Sequence, residues 1–203
     1  VFDYSLGNPS VPCPSSFTKA MIDMYETADP VALHGYSPSL GNPEACRTIA
    51  ESLNRRFSMD YTAGHIFPTT GAAGALAHAL RAVTKPGDEV LTFAPYFPEY
   101  HPYVEGAGAR LTVVPADIES FQINFAAFEA ALNPEVAVVL INTPNNPSGA
   151  VYSAETLDRL AGILRAKQAE YGHDIFLISD EPYREIVFDG GTQPYPAKFY
   201  DNT

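Results

Sequence analysis

The chain has 203 residues, 46% hydrophobic and 18% charged, enough for a sizeable core and at most two domains. Twelve Lys and Arg stand against 24 Asp and Glu, a formal net charge of −12 that argues against nucleic acid as a partner, because phosphate contacts need a basic surface. No apolar run reaches the roughly 18 residues of a membrane span, and no basic–apolar–cleavage pattern opens the chain, so neither membrane anchor nor secretion signal is expected.

The two cysteines, Cys13 and Cys46, form neither a disulfide framework nor a metal-ligand spacing; no metal is expected, and a reducing, cytoplasmic setting is. The chain starts at Val1 and closes on Asn202-Thr203 without an obvious terminal helix, so a piece of a longer protein, or a protein cut to a domain, is expected.

Residues 1–30 read as an arm and a short helix. Tyr4-Ser5-Leu6-Gly7-Asn8-Pro9 is a turn or extended lead, and Gly7 is equally a turn glycine or part of a site. Ser15 or Ser16 would cap a helix with Met21, Met24 and Tyr25 on its apolar face. A second irregular loop, His34 to Pro43, leads into a helix from Glu44 to Phe57, with Pro43 in its first turn and Asn42 as the cap. Cys46, Ile49, Ala50, Leu53 and Phe57 recur at helical spacing and mark its buried face, while Arg47 reads as a surface group.

The small residues Gly71-Ala72-Ala73-Gly74-Ala75 open a helix that begins at Ala72 or Ala73 and runs to about Val83. Its free N–H groups and dipole would suit a phosphate, although small residues serve tight packing on a sheet equally well. The run fits neither the dinucleotide glycine pattern nor the nucleotide loop that ends in Gly-Lys-Ser/Thr. A strand from Glu89 to Phe93 is followed by Ala94-Pro95-Tyr96-Phe97-Pro98, where prolines stiffen the placement of Phe97, a core ring or one that stacks on a flat ligand.

Then come a helix at 98–106, a strand at Arg110 to Val114, and a helix at Phe125 to Leu132. A strand at Val136 to Ile141, a helix at Glu155 to Glu170 capped by Ser153, and a strand at Ile175 to Ile178 follow. This alternation predicts an α/β fold, doubly wound, with a mostly parallel sheet and flanking helices.

Two strand ends then share one rim, where open α/β sheets bind ligands. The stretch Asn142 to Gly149 brings the amide of Asn146; Ser179 to Tyr183 brings the carboxylate of Asp180 and the phenol of Tyr183. A buried carboxylate there needs a cation or takes up a proton. A flat ligand with a protonated ring nitrogen, a phenolic oxygen and a phosphate arm would satisfy these groups together with Phe97 and the Ala72-Ala73 helix start. Pyridoxal 5'-phosphate is such a ligand.

The blocks Tyr36 to Gly41, Thr70 to Leu76, Pro95-Tyr96-Phe97, Asn146 to Gly149 and Asp180 to Tyr183 resemble, in order and spacing, a class I/II aminotransferase of the pyridoxal-phosphate fold type I superfamily across residues 5–190. The resemblance implies that Asp180 pairs with the ring nitrogen, that Asn146 and Tyr183 hydrogen-bond the ring oxygen, and that Phe97 stacks on the ring. It also implies that Ala72 and Ala73 hold the phosphate through backbone N–H groups and that Gly7 lies near the substrate carboxylate. Tyr36 would reach the cofactor phosphate of a neighbouring subunit, so a homodimer is implied. Residues 1–30 become the N-terminal arm and 31–203 a partial cofactor-binding large domain, with the small C-terminal domain absent.

The family's Schiff-base lysine lies in a Ser-x-Ser-Lys-like stretch after Asp-x-x-Tyr, and none of Lys19, Lys85, Lys167 or Lys198 has that context. The expectation is therefore divided. The whole protein is expected to move an amino group from an L-amino acid to a 2-oxo acid, and the 203-residue chain alone is expected to show no turnover. Other reactions on the same scaffold, β-elimination, decarboxylation or cyclisation of an activated methionine, use the same residues. A non-catalytic, aminotransferase-like effector-binding domain is the alternative from another class.

Overall fold

A computed structural model of the chain describes Gly7, residues 11–188 and residues 190–203; apart from Gly7, the turn-rich lead from Tyr4 to Pro9 lies outside the described residues. In chain order the elements are α1 (Ser15–Thr27), α2 (Pro30–His34), α3 (Pro43–Phe57), α4 (Gly71–Val83), β1 (Glu89–Phe93), α5 (Tyr100–Gly106), β2 (Arg110–Val114), α6 (Phe125–Ala131), β3 (Val136–Asn142), α7 (Ala154–Tyr171) and β4 (Phe176–Asp180). The strands form one sheet in the order β2-β1-β3-β4, and every neighbouring pair is parallel. Among the described residues no helix is long and apolar enough to cross a membrane.

All seven residues of β3 are buried, which explains a near-continuous apolar run in place of alternation: both faces of this strand are covered. Successive residues nevertheless serve different layers. Val139 and Ile141 pack with Phe128 of α6 and Leu160 and Leu164 of α7; Val138 and Leu140 pack with Leu76 and Leu80 of α4 and Val104 of α5. Helices on both faces of a parallel sheet are the doubly wound arrangement that the sequence rhythm predicts.

The caps follow the sequence where a short polar side chain precedes an apolar run. Asn42 accepts hydrogen bonds from the N–H of Glu44 at 2.9 Å and of Ala45 at 3.2 Å, with Pro43 in the first turn, and Ser153 accepts from Thr156 N–H at 3.0 Å. At α1 the expectation fails: Pro14 precedes the helix, its carbonyl accepts from Phe17 N–H at 3.0 Å, and neither serine caps. No residue of α1 is buried, and Tyr25 is 61% exposed. Helical periodicity marks a face as apolar without saying what covers it, and among the described residues nothing does. Only Cys46 and Ala50 are buried on α3, so its buried face is narrower than the spacing suggests. The short helix α2 was not anticipated, although Asp29 accepts from the N–H groups of Val31 and Ala32 and Pro30 sits in its first turn, a legible start signal.

At the amino end of the sheet Glu89 opens β1 with only 3% exposure. Its carboxylate accepts hydrogen bonds from Asn133 Nδ2 at 2.7 Å and from Thr112 Oγ1, and pairs with Arg110 at 3.1 Å. Burial pushes the carboxyl up, but these donors and the Arg110 charge outweigh it and hold it below the ordinary value of 4.5. A depressed folded-state value contributes stability that is complete above the unfolded-state value and lost as pH falls through the folded-state one. Replacing Glu89 with Gln is expected to destabilise by about 1–3 kcal/mol at neutral pH, with the gap closing on acidification. Urea unfolding of both proteins between about pH 3 and pH 7 checks this; a gap independent of pH would contradict it.

Candidate functional site

Strand order places the site. β2 and β3 lie on opposite sides of β1, so the winding reverses between β1 and β3, and a crevice opens beyond their carboxyl ends. A cavity of about 250 Å³ lies there, lined among others by Ala72, Ala73, Phe97, Asn146, Asp180 and Tyr183. Six predicted residues from four separate stretches thus meet in one place. Two do not: Gly7 is exposed and does not line the cavity, and the side chain of Tyr36 is fully exposed to solvent.

Each wall has a local cause. The helix α4 begins at Gly71 with φ +73°, a conformation that disfavours any side chain, and Thr70 supplies no side-chain cap. The N–H groups of Ala72 and Ala73 therefore fall in the turn that a helix leaves without internal partners, at its positive end. Phe97 follows β1 and is half-buried, with its ring in edge contact with Tyr100 at 5.9 Å between centroids. The Asn146 loop is built by its neighbours: Asn145 Oδ1 accepts from Ser148 N–H at 3.0 Å and Ser148 Oγ at 2.8 Å, and Asn145 Nδ2 donates to the Pro95 carbonyl at 3.2 Å. Asn146 Nδ2 lies 3.5 Å from the Tyr183 hydroxyl, so amide and phenol can converge on one acceptor.

Two residues given no role from the sequence hold the others in place. Asn142, at the end of β3, donates from Nδ2 to the Asp180 carbonyl at 2.9 Å and accepts the Asn146 N–H on Oδ1 at 2.6 Å. Tyr100, fully buried on α5, donates its hydroxyl to Asp180 Oδ2 at 2.6 Å. Burial pushes the Asp180 carboxyl above its ordinary value, and the Tyr100 bond pulls against that without cancelling it. Burial and the neighbouring Asp180 in turn push the Tyr100 phenol far above its ordinary range, so it stays a donor. At the outer lip Tyr103 donates to Glu99, which pushes the Tyr103 phenol up to about 12.

Among the described residues no lysine, arginine or histidine lines this cavity, yet two carboxylates, Asp180 and Glu99, do. Asp180 is half-buried and lacks a cationic partner among the described residues, which suits a ligand that carries its own positive charge. A wider, more open hollow of about 510 Å³ adjoins the site and shares Asn146 and Tyr183 with it. It includes neither Asp180 nor the start of α4, so the smaller cavity is the one on which the six predicted residues converge.

Comparison with known proteins agrees with this geometry. A family model described as aminotransferase class I and II matches residues 1–200. The chain belongs to that family. The crystal structure of an amino transferase from Eubacterium rectale is 48% identical and superposes with a TM-score of 0.97 over 100% of this chain and 51% of that one. A probable aspartate/prephenate aminotransferase of Thermus aquaticus is 33% identical over 156 residues, 76% of this chain and 39% of the relative. A probable N-succinyldiaminopimelate aminotransferase of Mycobacterium tuberculosis is 34% identical over 172 residues, 83% of this chain and 42% of the relative. The chain therefore spans about half, or less, of the length of these relatives. Its parallel sheet with helices on both faces is the large-domain architecture of fold type I aminotransferases.

Proposed function

We propose that the whole protein is a pyridoxal 5'-phosphate-dependent aminotransferase that moves an amino group from an L-amino acid to a 2-oxo acid. Asp180 carries the proposal: a half-buried carboxylate with a raised pKa, held by Tyr100, lines a cavity that an uncapped helix start also lines. When bound, the cofactor supplies an electron sink for the negative charge left at the substrate Cα.

The chain's residues have distinct tasks. Asp180 accepts the ring N–H and keeps that nitrogen positively charged. Phe97 covers one ring face and excludes water from it. The N–H groups of Ala72 and Ala73 hold the phosphate at the positive end of α4. Asn146 and Tyr183 donate to the ring oxygen, and Asn142 fixes the loops that carry them. None of the four lysines lines the cavity among the described residues, so the proposal takes the amine that anchors the cofactor from elsewhere in the whole protein.

The same proposal makes residues 1–30 an arm and 31–203 part of the large domain of a homodimer, with Gly7 near the substrate carboxylate. The full exposure of Tyr36, and an apolar face of α1 that no described residue covers, support a neighbouring subunit there. A cytoplasmic location belongs to the proposal too, and two free cysteines fit it; cell fractionation tests this point.

The decisive experiment adds pyridoxal 5'-phosphate to the whole recombinant protein and records visible absorbance, then products with an amino acid and a 2-oxo acid. A protein-bound absorbance band and a new amino acid are expected. No band would sink the proposal; ammonia with pyruvate as products would redirect it to elimination. Light scattering on the same sample should give twice the subunit mass, and a monomer would remove the role of Tyr36.

A further inference from the structure

Tyr183 is placed by its backbone more than by its side chain. It is 38% exposed, and its hydroxyl has one long contact, to Asn146 at 3.5 Å. The turn that carries it, however, is fastened from behind by the next residue. Arg184 donates from Nε to Glu181 Oε2 at 2.6 Å and from Nη2 to the same oxygen, closing a ring across the turn. Its Nη1 reaches the Gln193 carbonyl at 3.1 Å and the Pro194 carbonyl at 3.5 Å. Glu181 Oε1 accepts from Ser179 Oγ at 2.7 Å, which ties the assembly back to β4.

Two aromatic rings complete the clamp. Phe57, at the end of α3, and Tyr195 stack with centroids 4.3 Å apart and planes within 6°. The guanidinium carbon of Arg184 lies 4.9 Å from the Phe57 centroid and 5.0 Å from that of Tyr195. The Arg184 side chain is only 10% exposed, so this cation is desolvated, and its fork, carbonyl and ring contacts together replace water. Arg56 of α3 also pairs with Glu185, so two consecutive residues behind Tyr183 are bound to the end of one helix.

We infer that Arg184 is a positioning residue that sets where the Tyr183 hydroxyl stands over the cofactor's ring oxygen, acting through the turn that it clamps to Phe57 and Tyr195. The inference rests on the cofactor assignment proposed above. A planar guanidinium is required: lysine keeps the charge but neither the fork nor the flat contact with two rings. A site held loosely by its supporting residues loses function through misplacement of about an ångström, with every contacting residue still present.

The test uses the whole protein loaded with pyridoxal 5'-phosphate and follows the pH midpoint of the cofactor's absorbance. Tyr183→Phe removes a donor to an oxyanion, so the midpoint should rise by about one pH unit. Arg184→Lys should raise it by about half as much, and should add nothing in a Tyr183→Phe background, because its effect passes through that hydroxyl. Phe57→Leu, which leaves every hydrogen bond of Arg184 in place, should move the midpoint in the same direction by less. A midpoint unchanged by Arg184→Lys, or a shift that adds fully to that of Tyr183→Phe, overturns the inference.

Hydrogen exchange on the cofactor-free whole protein provides an arm independent of binding. The N–H groups of Arg184 and Ile186 are hydrogen-bonded within the turn, to Glu181 and Tyr183 carbonyls at 3.3 Å and 2.9 Å. Arg184→Lys should speed their exchange about tenfold or more while core amides of β3 keep their rates. If the wild type binds no cofactor, the functional proposal fails and this arm alone decides whether Arg184 clamps the turn: faster exchange supports the clamp, unchanged exchange overturns it.

Discussion

Replacing Asp180 with alanine in the whole protein should lower the turnover number for amino-group transfer by roughly 10²–10³-fold while KM for the amino acid changes by less than about threefold. Substrate contacts need not involve this side chain; what it supplies is a negative partner for a ring nitrogen whose positive charge matters most when charge leaves the substrate Cα. Steady-state kinetics that separate the two constants decide it, and equal losses in turnover and affinity would contradict the role. A pH dependence accompanies it. Because burial raises the Asp180 pKa, its carboxylate form in the cofactor-free protein becomes available at higher pH than that of an ordinary aspartate. Cofactor affinity should therefore strengthen as pH rises through that raised value. The cofactor-free protein should lose stability over the same rise, since its folded state binds the proton that the unfolded state releases.

A second large effect is expected at a residue that does not line the cavity. Gly41 has φ +93°, and a Cβ there would lie 2.7 Å from Pro68 Cδ, 2.8 Å from its Cγ and 3.2 Å from Cys46 Sγ. Gly41→Ala combines a disfavoured backbone conformation with a clash against a rigid ring, at a cost of roughly 2–5 kcal/mol. Urea unfolding of the whole protein measures it, and a change below about 1 kcal/mol would show that the loop relaxes freely. The residue lies in the same loop as Tyr36, so the strain would fall on the segment proposed to meet a neighbouring subunit.

Much of this molecule was legible because buried parallel strands carry long apolar runs that stop sharply at Asn, Pro or Asp. Val136 to Ile141 and Glu89 to Phe93 needed no structure to be placed, and once they were placed, their ends located Asn146 and Phe97. Asp180 and Tyr183 were legible for the same reason.

Other contributions were hidden by distance along the chain. Tyr100 has no role legible in the sequence; that its hydroxyl meets a carboxylate 80 positions later is a property of the packed fold. Arg184 has no role legible in the sequence, because Phe57 and Tyr195 close over it only in the folded chain. At α1 the pattern is present and, among the described residues, its partner is not, since an apolar stripe reports only its own chemistry.

Asn142 has a thermodynamic consequence. By bonding the Asp180 carbonyl and the Asn146 amide with one side chain, it makes two loops from different strands a single preformed mould. The entropy of ordering that mould is then incurred during folding, before any ligand arrives, and a cofactor entering it loses less of its binding free energy to arranging the protein around itself.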